Sequence, residues 1–283
     1  MNNIFLSKSS YCKCVQCEKI LWLSEYKKDN AVAGNNESVF ETGREVGELA
    51  KGLFGDYVNI PFNEKPNIRI NKTKQLLKDK ANVITEASFL YDNNFCSVDI
   101  LKNDSGGVEI YEVKSSTKIK DIYVDDAAYQ YFVLSNLGFN VKKVAIVYIN
   151  NEYVRSKKLD INQLFNIEDI TDIAKQKQGE IRSNIDMINN YMEVHDRDNE
   201  PDKDIGTHCF DPYSCAFWQF CTKDLPTPNV FDIGGMQKRS KFKKYYEGKI
   251  SFKDLESEKI NKKYLEQIDL NWMTGNPKLI KEL

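Results

Sequence analysis

No run in this 283-residue chain is long and apolar enough to form a helical membrane span. The opening residues, Met1-Asn2-Asn3-Ile4-Phe5-Leu6-Ser7-Lys8, lack the apolar core of a secretion signal, so a cytoplasmic location is expected. Charge of one sign is also lacking. Forty Lys and Arg face 42 Asp and Glu, a net of −2, so any contact with nucleic acid must rest on local patches. Internal repeats and low-complexity segments are absent, which argues against a solenoid or a disordered chain. Histidine is scarce. His195 falls in a polar stretch with no evident partner, and His208 reads as a structural hydrogen-bonding residue beside Cys209. Seven cysteines are an odd number and cluster at two distant places, which argues against a disulfide framework.

What is present supports a sizeable core: 41% apolar residues, with 15 Phe, 15 Tyr and 3 Trp. Helices are expected over residues 7–26, with Ser7 or Ser9 as N-cap, and over 40–54, with Val46, Leu49, Ala50 and Leu53 on one stripe. Strand-like runs follow at 82–91, 95–102 and 108–114. A mostly apolar helix over 124–137 stops at Gly138, and 141–148 reads as a buried strand. Ile170, Ile173, Ile181, Ile185, Ile188 and Met192 predict one long amphipathic helix over 167–192, followed by a polar loop over 195–204. This order predicts an α/β fold whose central hairpin carries the site. Pro226 and Pro228 mark a boundary, giving a domain over 1–225 and a helical extension over 226–283. That tail holds twelve Lys and Arg against eight Asp and Glu, a net of +4 by subtraction.

The hairpin is the most informative stretch. Phe95-Cys96-Ser97-Val98-Asp99-Ile100-Leu101 and Val108-Glu109-Ile110-Tyr111-Glu112-Val113-Lys114-Ser115 are joined by a short polar link, with Gly106-Gly107 at the turn. Pairing of the two strands brings Asp99 near Glu112, and period-two alternation puts Glu112 and Lys114 on one face. Two carboxylates are hard oxygen ligands suited to Mg²⁺ or Mn²⁺. A cation there activates water and stabilises charge on a phosphodiester, and the lysine adds a further positive charge. Taken alone, the same residues also read as ordinary surface charges of a hairpin.

The second constellation is Cys209-x5-Cys215-x5-Cys221, set among Phe210, Phe217, Trp218 and Phe220. Three closely spaced thiolates need a fourth for a 4Fe-4S cluster, and the group Cys12-x-Cys14-x2-Cys17 contains candidates. Tetrahedral zinc and buried free thiols are the other readings of these residues. Trp22 and Trp218 are expected to pack near the cysteines.

Together these residues resemble the iron–sulfur-containing RecB-like exonucleases of the PD-(D/E)XK superfamily, which include CRISPR-associated RecB-type exonucleases and AddB-like nuclease domains. The resemblance spans residues 7 to about 225. Asp99 matches the family's motif II aspartate, and Glu112-Val113-Lys114 matches its (D/E)-x-K motif. Gln130 matches the glutamine of Q-x-x-x-Y, with Leu134 in place of the tyrosine. Gln16-Cys17-Glu18-Lys19 resembles the Cys-Pro-Lys/Arg signature, with Glu18 in place of proline. Thr42-Gly43-Arg44-Glu45-Val46-Gly47 resembles motif I, with Gly47 where the family carries a metal-binding histidine. Glu48 is turned about 100° away on that helix, and Glu86 is a further candidate carboxylate. The chain also resembles the first part of a larger bacterial group in which such a module precedes an RNase H-like domain. The tail resembles the linker of that group.

The resemblance implies a PD-(D/E)XK restriction-endonuclease-like core, with a central mixed sheet flanked by helices and a cysteine-cluster-bound terminal region. It implies a metal-dependent DNA exonuclease, directed at single strands or free ends, in DNA repair, recombination or CRISPR-type defence. Asp99, Glu112 and the Val113 carbonyl would hold Mg²⁺ or Mn²⁺, Lys114 would position water, and Gln130 would orient the site. Cys17, Cys209, Cys215 and Cys221 would hold a structural 4Fe-4S cluster tying the terminal segments together. The rivals are a nucleic-acid-binding module with a decayed site, a zinc-stabilised nuclease-fold protein, and a redox protein. Lys118 and Lys120 beside Lys114, with Ser115, Ser116 and Thr117, read either as phosphate contacts or as a solvated turn. Lys238, Arg239, Lys241, Lys243 and Lys244, interleaved with Phe242, Tyr245 and Tyr246, read either as a nucleic-acid surface or as a solvated helix face.

Overall fold

The computed structural model describes residues 4–32, 37–256 and 261–274, with no side-chain description for 37–40 and 269–274. The chain divides into two compact units, Met1–Tyr26 with Asn35–Pro201, and Lys27–Gly34 with Asp202–Leu283.

The first unit is α/β. Its mixed seven-strand sheet runs in the order β2 (Val58–Asn59), β3 (Val83–Tyr91), β4 (Asn94–Asp104), β5 (Gly107–Lys114), β6 (Val141–Ile149) and β7 (Phe165–Asp169). A two-residue strand, β1 (Leu6–Ser7), adds in parallel to β4. The β3–β4 and β4–β5 pairs are antiparallel, whereas β5–β6 is parallel across the helix α5 (Asp121–Asn136). Both sheet faces are apolar, so both are covered. Ile110, Val144 and Ile146 pack with α5, α1 (Lys8–Gln16) and α8 (Gln178–Val194). Their neighbours Tyr111, Ala145 and Val147 pack with Val46 and Ala50 of α3 (Glu37–Ala50).

The expected strands at 82–91, 95–102 and 108–114, the helix before Gly138 and the strand at 141–148 all form, with small shifts of boundary. Ser7 is the N-cap of α1, accepting from the Ser10 N–H at 3.1 Å. The expected helix over 7–26 is broken. Cys17 is extended (φ −162°, ψ 115°) and separates α1 from α2 (Lys19–Tyr26). The helix expected over 40–54 ends in a 3₁₀ turn at Lys51–Phe54.

The single helix expected over 167–192 is also corrected. Residues Phe165–Asp169 form β7 against β6, followed by α7 (Thr171–Gln176) and α8. Five ladder pairs with β6 outweigh the helical periodicity there. Ile167 is exposed, whereas Ile181, Ile185, Ile188 and Met192 form the expected buried stripe. The helix α4 (Pro66–Lys78) went unread, although Pro66 at its first turn is a start signal. Its Thr73 Oγ accepts from the Ser88 N–H at 2.8 Å, fixing α4 on β3.

The second unit contains α9 (Trp218–Cys221), α10 (Lys238–Tyr246), α11 (Phe252–Leu255) and α12 (Lys262–Thr274). Among the described residues after 226 the regular elements are helical, Val230, Ile233, Met236, Phe252, Leu255 and Ile268 are buried together, and the C-terminal stretch of this unit begins at Asp202 rather than at the prolines. Among the described residues no helix is long and apolar enough to cross a membrane.

The β4–β5 turn is closed by Ser105 and Gly106, between the pair Asp104 and Gly107. Gly107 has φ +132°, and a Cβ there would lie 2.2 Å from the Asn140 carbonyl oxygen. Gly107→Ala is therefore expected to lower stability by about 2 kcal/mol in urea unfolding, through backbone strain and displacement of Asn140.

Candidate active site

The site is built where β3, β4 and β5 run side by side. The pairs Ile100↔Tyr111 and Leu101↔Ile110 bring Asp99 opposite Glu112. The pairs Thr85↔Ile100 and Ala87↔Val98 bring Glu86 opposite Asp99. Three carboxylates thus fall in one row across three strands. The row interrupts the sheet. Glu86 is in the left-handed region (φ +59°), uncommon for a residue with a Cβ. The recorded β4–β5 ladder stops at Ile100↔Tyr111. Beyond it, Asp99 Oδ2 accepts the Val113 N–H at 2.7 Å. The side chain thus replaces a ladder bond, and Oδ1 is left to other partners.

Glu112 is 2% exposed, so its charge must be answered inside the protein. Its Oε1 meets Lys114 Nζ at 2.8 Å and Lys8 Nζ at 2.7 Å. Its Oε2 accepts from Gln130 Nε2 at 2.5 Å. Lys114 also pairs with Asp126. Gln130 lies one helical turn after Asp126 on α5, donates to its carbonyl at 3.3 Å, and is fully buried. The Oε1 of Gln130 is buried with no hydrogen-bond partner among the described residues. Glu86 is paired with Arg69 of α4 at 3.1 Å.

These contacts set the proton affinities. Burial, the neighbouring Glu112 charge and Glu86 raise the Asp99 carboxyl to about 7, against the opposing pull of Lys8 and the Val113 N–H. Burial also acts to raise Glu112, but Lys114 and Lys8 outweigh it and hold the group well below the usual carboxylate range. Lys8 and Lys114 are held protonated, since their carboxylate partners outweigh burial.

The structure therefore brings Asp99, Glu112, Lys114 and Gln130 together, as the sequence predicts. Three participants went unread. Asp126 was legible in its four-residue spacing from Gln130, which places both on one helix face. Lys8 was legible in its position at the first turn of a helix, where a cation opposes the macrodipole and so points to a tertiary partner. Arg69 gave no comparable signal. On α3, Glu48 turns away to pair with Lys51 at 2.5 Å. At Gly47 a Cβ would meet nothing within 4 Å, so the space for a larger side chain is open.

Hard oxygen donors and an orphaned amide oxygen fit a divalent cation by donor type. Among the described residues, however, no three His, Cys, Asp or Glu side chains form a group able to hold a metal ion. A cation would thus draw on Asp99, Glu112 and backbone or water oxygens, with Glu112 released from one of its present donors.

In the second unit, Cys209, Cys215 and Cys221 share one apolar cluster with Phe210, Trp218, Phe231 and Phe242. The Gly206 N–H reaches Cys209 Sγ at 3.5 Å, and the Phe217 N–H reaches Cys215 Sγ at 3.4 Å. These two N–H donors can stabilise thiolate charge at Cys209 and Cys215. Cys17 lies in the first unit at the α1–α2 break. Cys12 donates to Asp126 at 3.0 Å, and burial raises the Cys14 thiol to about 12, so neither is poised as a thiolate. Trp22 is fully buried in the first unit, and its Nε1 donates to the Asp196 carbonyl at 2.8 Å. On α10, Phe242 is buried and Lys241 donates to the Phe231 carbonyl at 2.8 Å, so that stripe is partly committed to packing.

No protein-family model matches the chain, and no curated protein matches it.

Asp99 makes stability depend on pH. Its folded value lies above its unfolded one, so between the two the folded state holds a proton that the unfolded state releases. Its contribution is fully present below about pH 4 and is lost as pH rises through about 7. In chelator-treated protein, Asp99→Asn should remove this loss and gain roughly 1–3 kcal/mol over wild type near pH 8, read by denaturant unfolding across pH.

Proposed function

We propose that the chain is a metal-dependent nuclease of the PD-(D/E)XK, RecB-like type, acting on DNA at single strands or free ends. The observation that carries this reading is the meeting of Asp99, Glu112 and Lys114 on one edge of the β4–β5 pair, with Gln130 bound to Glu112 from the covering helix. A row of hard oxygen ligands beside a fixed ammonium suits phosphodiester hydrolysis better than it suits a structural ion-pair cluster.

Asp99 and Glu112 would hold Mg²⁺ or Mn²⁺, with the Val113 carbonyl as a further ligand. Such a cation, when bound, lowers the pKa of water and neutralises phosphate charge. The chain's own groups do the rest. The Val113 N–H orients the Asp99 carboxylate. Asp126 holds Lys114 at the mouth of the row, where its ammonium faces attacking water and the developing negative charge. Gln130 fixes the Glu112 plane through Oε2. The ring of Tyr123, 5.0 Å from Lys114 Nζ, covers that lysine on another side.

A nucleic-acid-binding module with a decayed site is the second reading. It is favoured by Gly47, and by a Glu112 already saturated with donors. For the cysteine triplet we propose a structural iron–sulfur centre, with zinc as the rival. DNA repair, recombination or defence is the setting that the family resemblance suggests.

The test is cleavage of end-labelled single- and double-stranded DNA with Mn²⁺ or Mg²⁺. Asp99→Ala should abolish cleavage in a folded protein. Lys114→Ala should lower kcat by about 10²-fold or more while the variant still binds Mn²⁺, because the ammonium acts mainly on the transition state. DNA binding without cleavage under either cation would favour the decayed site. For the cysteines, anaerobically purified protein should be brown and carry iron and sulfide, and Cys215→Ala should lose both. Stoichiometric zinc in a colourless protein would decide for the rival.

A further inference from the structure

Lys8 has no assigned role in hydrolysis, yet its Nζ lies 2.7 Å from Glu112, in the midst of the acidic row. Its position is imposed by the fold. The two-residue β1 strand is fixed on β4 by the pairs Leu6↔Asn94 and Ser7↔Phe95. The Tyr129 hydroxyl donates to the Leu6 carbonyl at 2.7 Å, and Leu6 is buried. Ser7 then caps α1, which makes Lys8 the first helical residue. A lysine there opposes the helix dipole, and no acid in the first turn offsets it. The carboxylates of the row make this placement favourable. Burial acts most strongly on Lys8 and disfavours its charge, and Glu112, then Asp126 and Asp99, together outweigh it.

We propose that Lys8 is a tethered counter-ion that occupies the cation position of the metal-free site and must leave Glu112 when a divalent cation binds. This rests on the metal-site reading above. Glu112 Oε1 already receives both ammoniums, Lys8 and Lys114, and a carboxylate oxygen offers about two acceptor sites, so Oε1 cannot coordinate a cation while keeping both, whereas Oε2 accepts Gln130. Gln130 is fully buried and anchored to the Asp126 carbonyl. Lys114 keeps a second partner in Asp126. Glu112 is the only carboxylate within ion-pair distance of Lys8 Nζ among the described residues. Lys8 is therefore the donor that yields. It holds the row together without metal and lowers the site's affinity for metal, because two cations cannot share one carboxylate oxygen without repulsion.

The readout is Mn²⁺ binding to chelator-treated full-length protein by calorimetry, alongside thermal unfolding with and without Mn²⁺. Lys8→Met keeps length and removes charge, and Lys8→Arg keeps charge. Lys8→Met should bind Mn²⁺ on the order of tenfold more tightly than wild type, because a nearby competing charge is gone. Its metal-free form should melt earlier, with a larger stabilisation by Mn²⁺ than wild type shows. Lys8→Arg should bind Mn²⁺ as wild type does. Equal or weaker binding by a folded Lys8→Met, with wild type still binding, overturns the counter-ion role and leaves the metal site standing. Absence of Mn²⁺ binding in all three proteins overturns the metal site and the proposal with it.

Discussion

Drawing three carboxylates out of bulk water in one row is unfavourable unless each meets its own counter-group, and much of the first unit is arranged around meeting them. Glu86 meets Arg69 from α4. Asp99 meets a backbone N–H set free where the β4–β5 ladder ends. Glu112 meets two ammoniums and an amide, brought by β1–α1, β5 and α5. Removing one partner leaves a charge in a poorly solvated place, at a typical cost of about 3–5 kcal/mol for a fully buried pair.

Such mutual dependence also sets the proton affinities. Burial and the neighbouring carboxylates push Asp99 up, whereas Lys114 and Lys8 outweigh burial at Glu112 and pull it down. Pairs of acids whose proton affinities are pulled apart are frequent where acid–base chemistry is done, and structural ion-pair networks perturb proton affinities too.

The sequence shows the sheet's centre well and its periphery poorly. Strands β3 to β6 read clearly because each is a β-rich, largely apolar run bounded by turn residues. The β4–β5 register follows from the short turn, so the meeting of Asp99 and Glu112 was legible as well. The error over 167–192 has a physical cause. Isoleucines spaced for a helix continue through a segment whose backbone bonds go to β6 instead. The break at Cys17 is invisible to periodicity, since apolar spacing carries on across it. Lys8 and Asp126 left signals in the sequence, a cation at a helix start and a four-residue spacing from Gln130, but charge alone does not tell that Lys8 would find Glu112, 104 positions away.

The Lys8–Glu112 contact spans 104 positions of chain, and a two-residue strand holds its first half in place. Contacts of such high sequence separation close late, because the loop entropy must be overcome before they can form. A ribosome releases Lys8 long before Glu112 exists, so the counter-ion is already on the chain when the acidic row forms, but it reaches the row only through the docking of β1. Docking of β1 then acts as a final latch: a chain that has folded everything else but not its first strand would carry an open, over-charged centre.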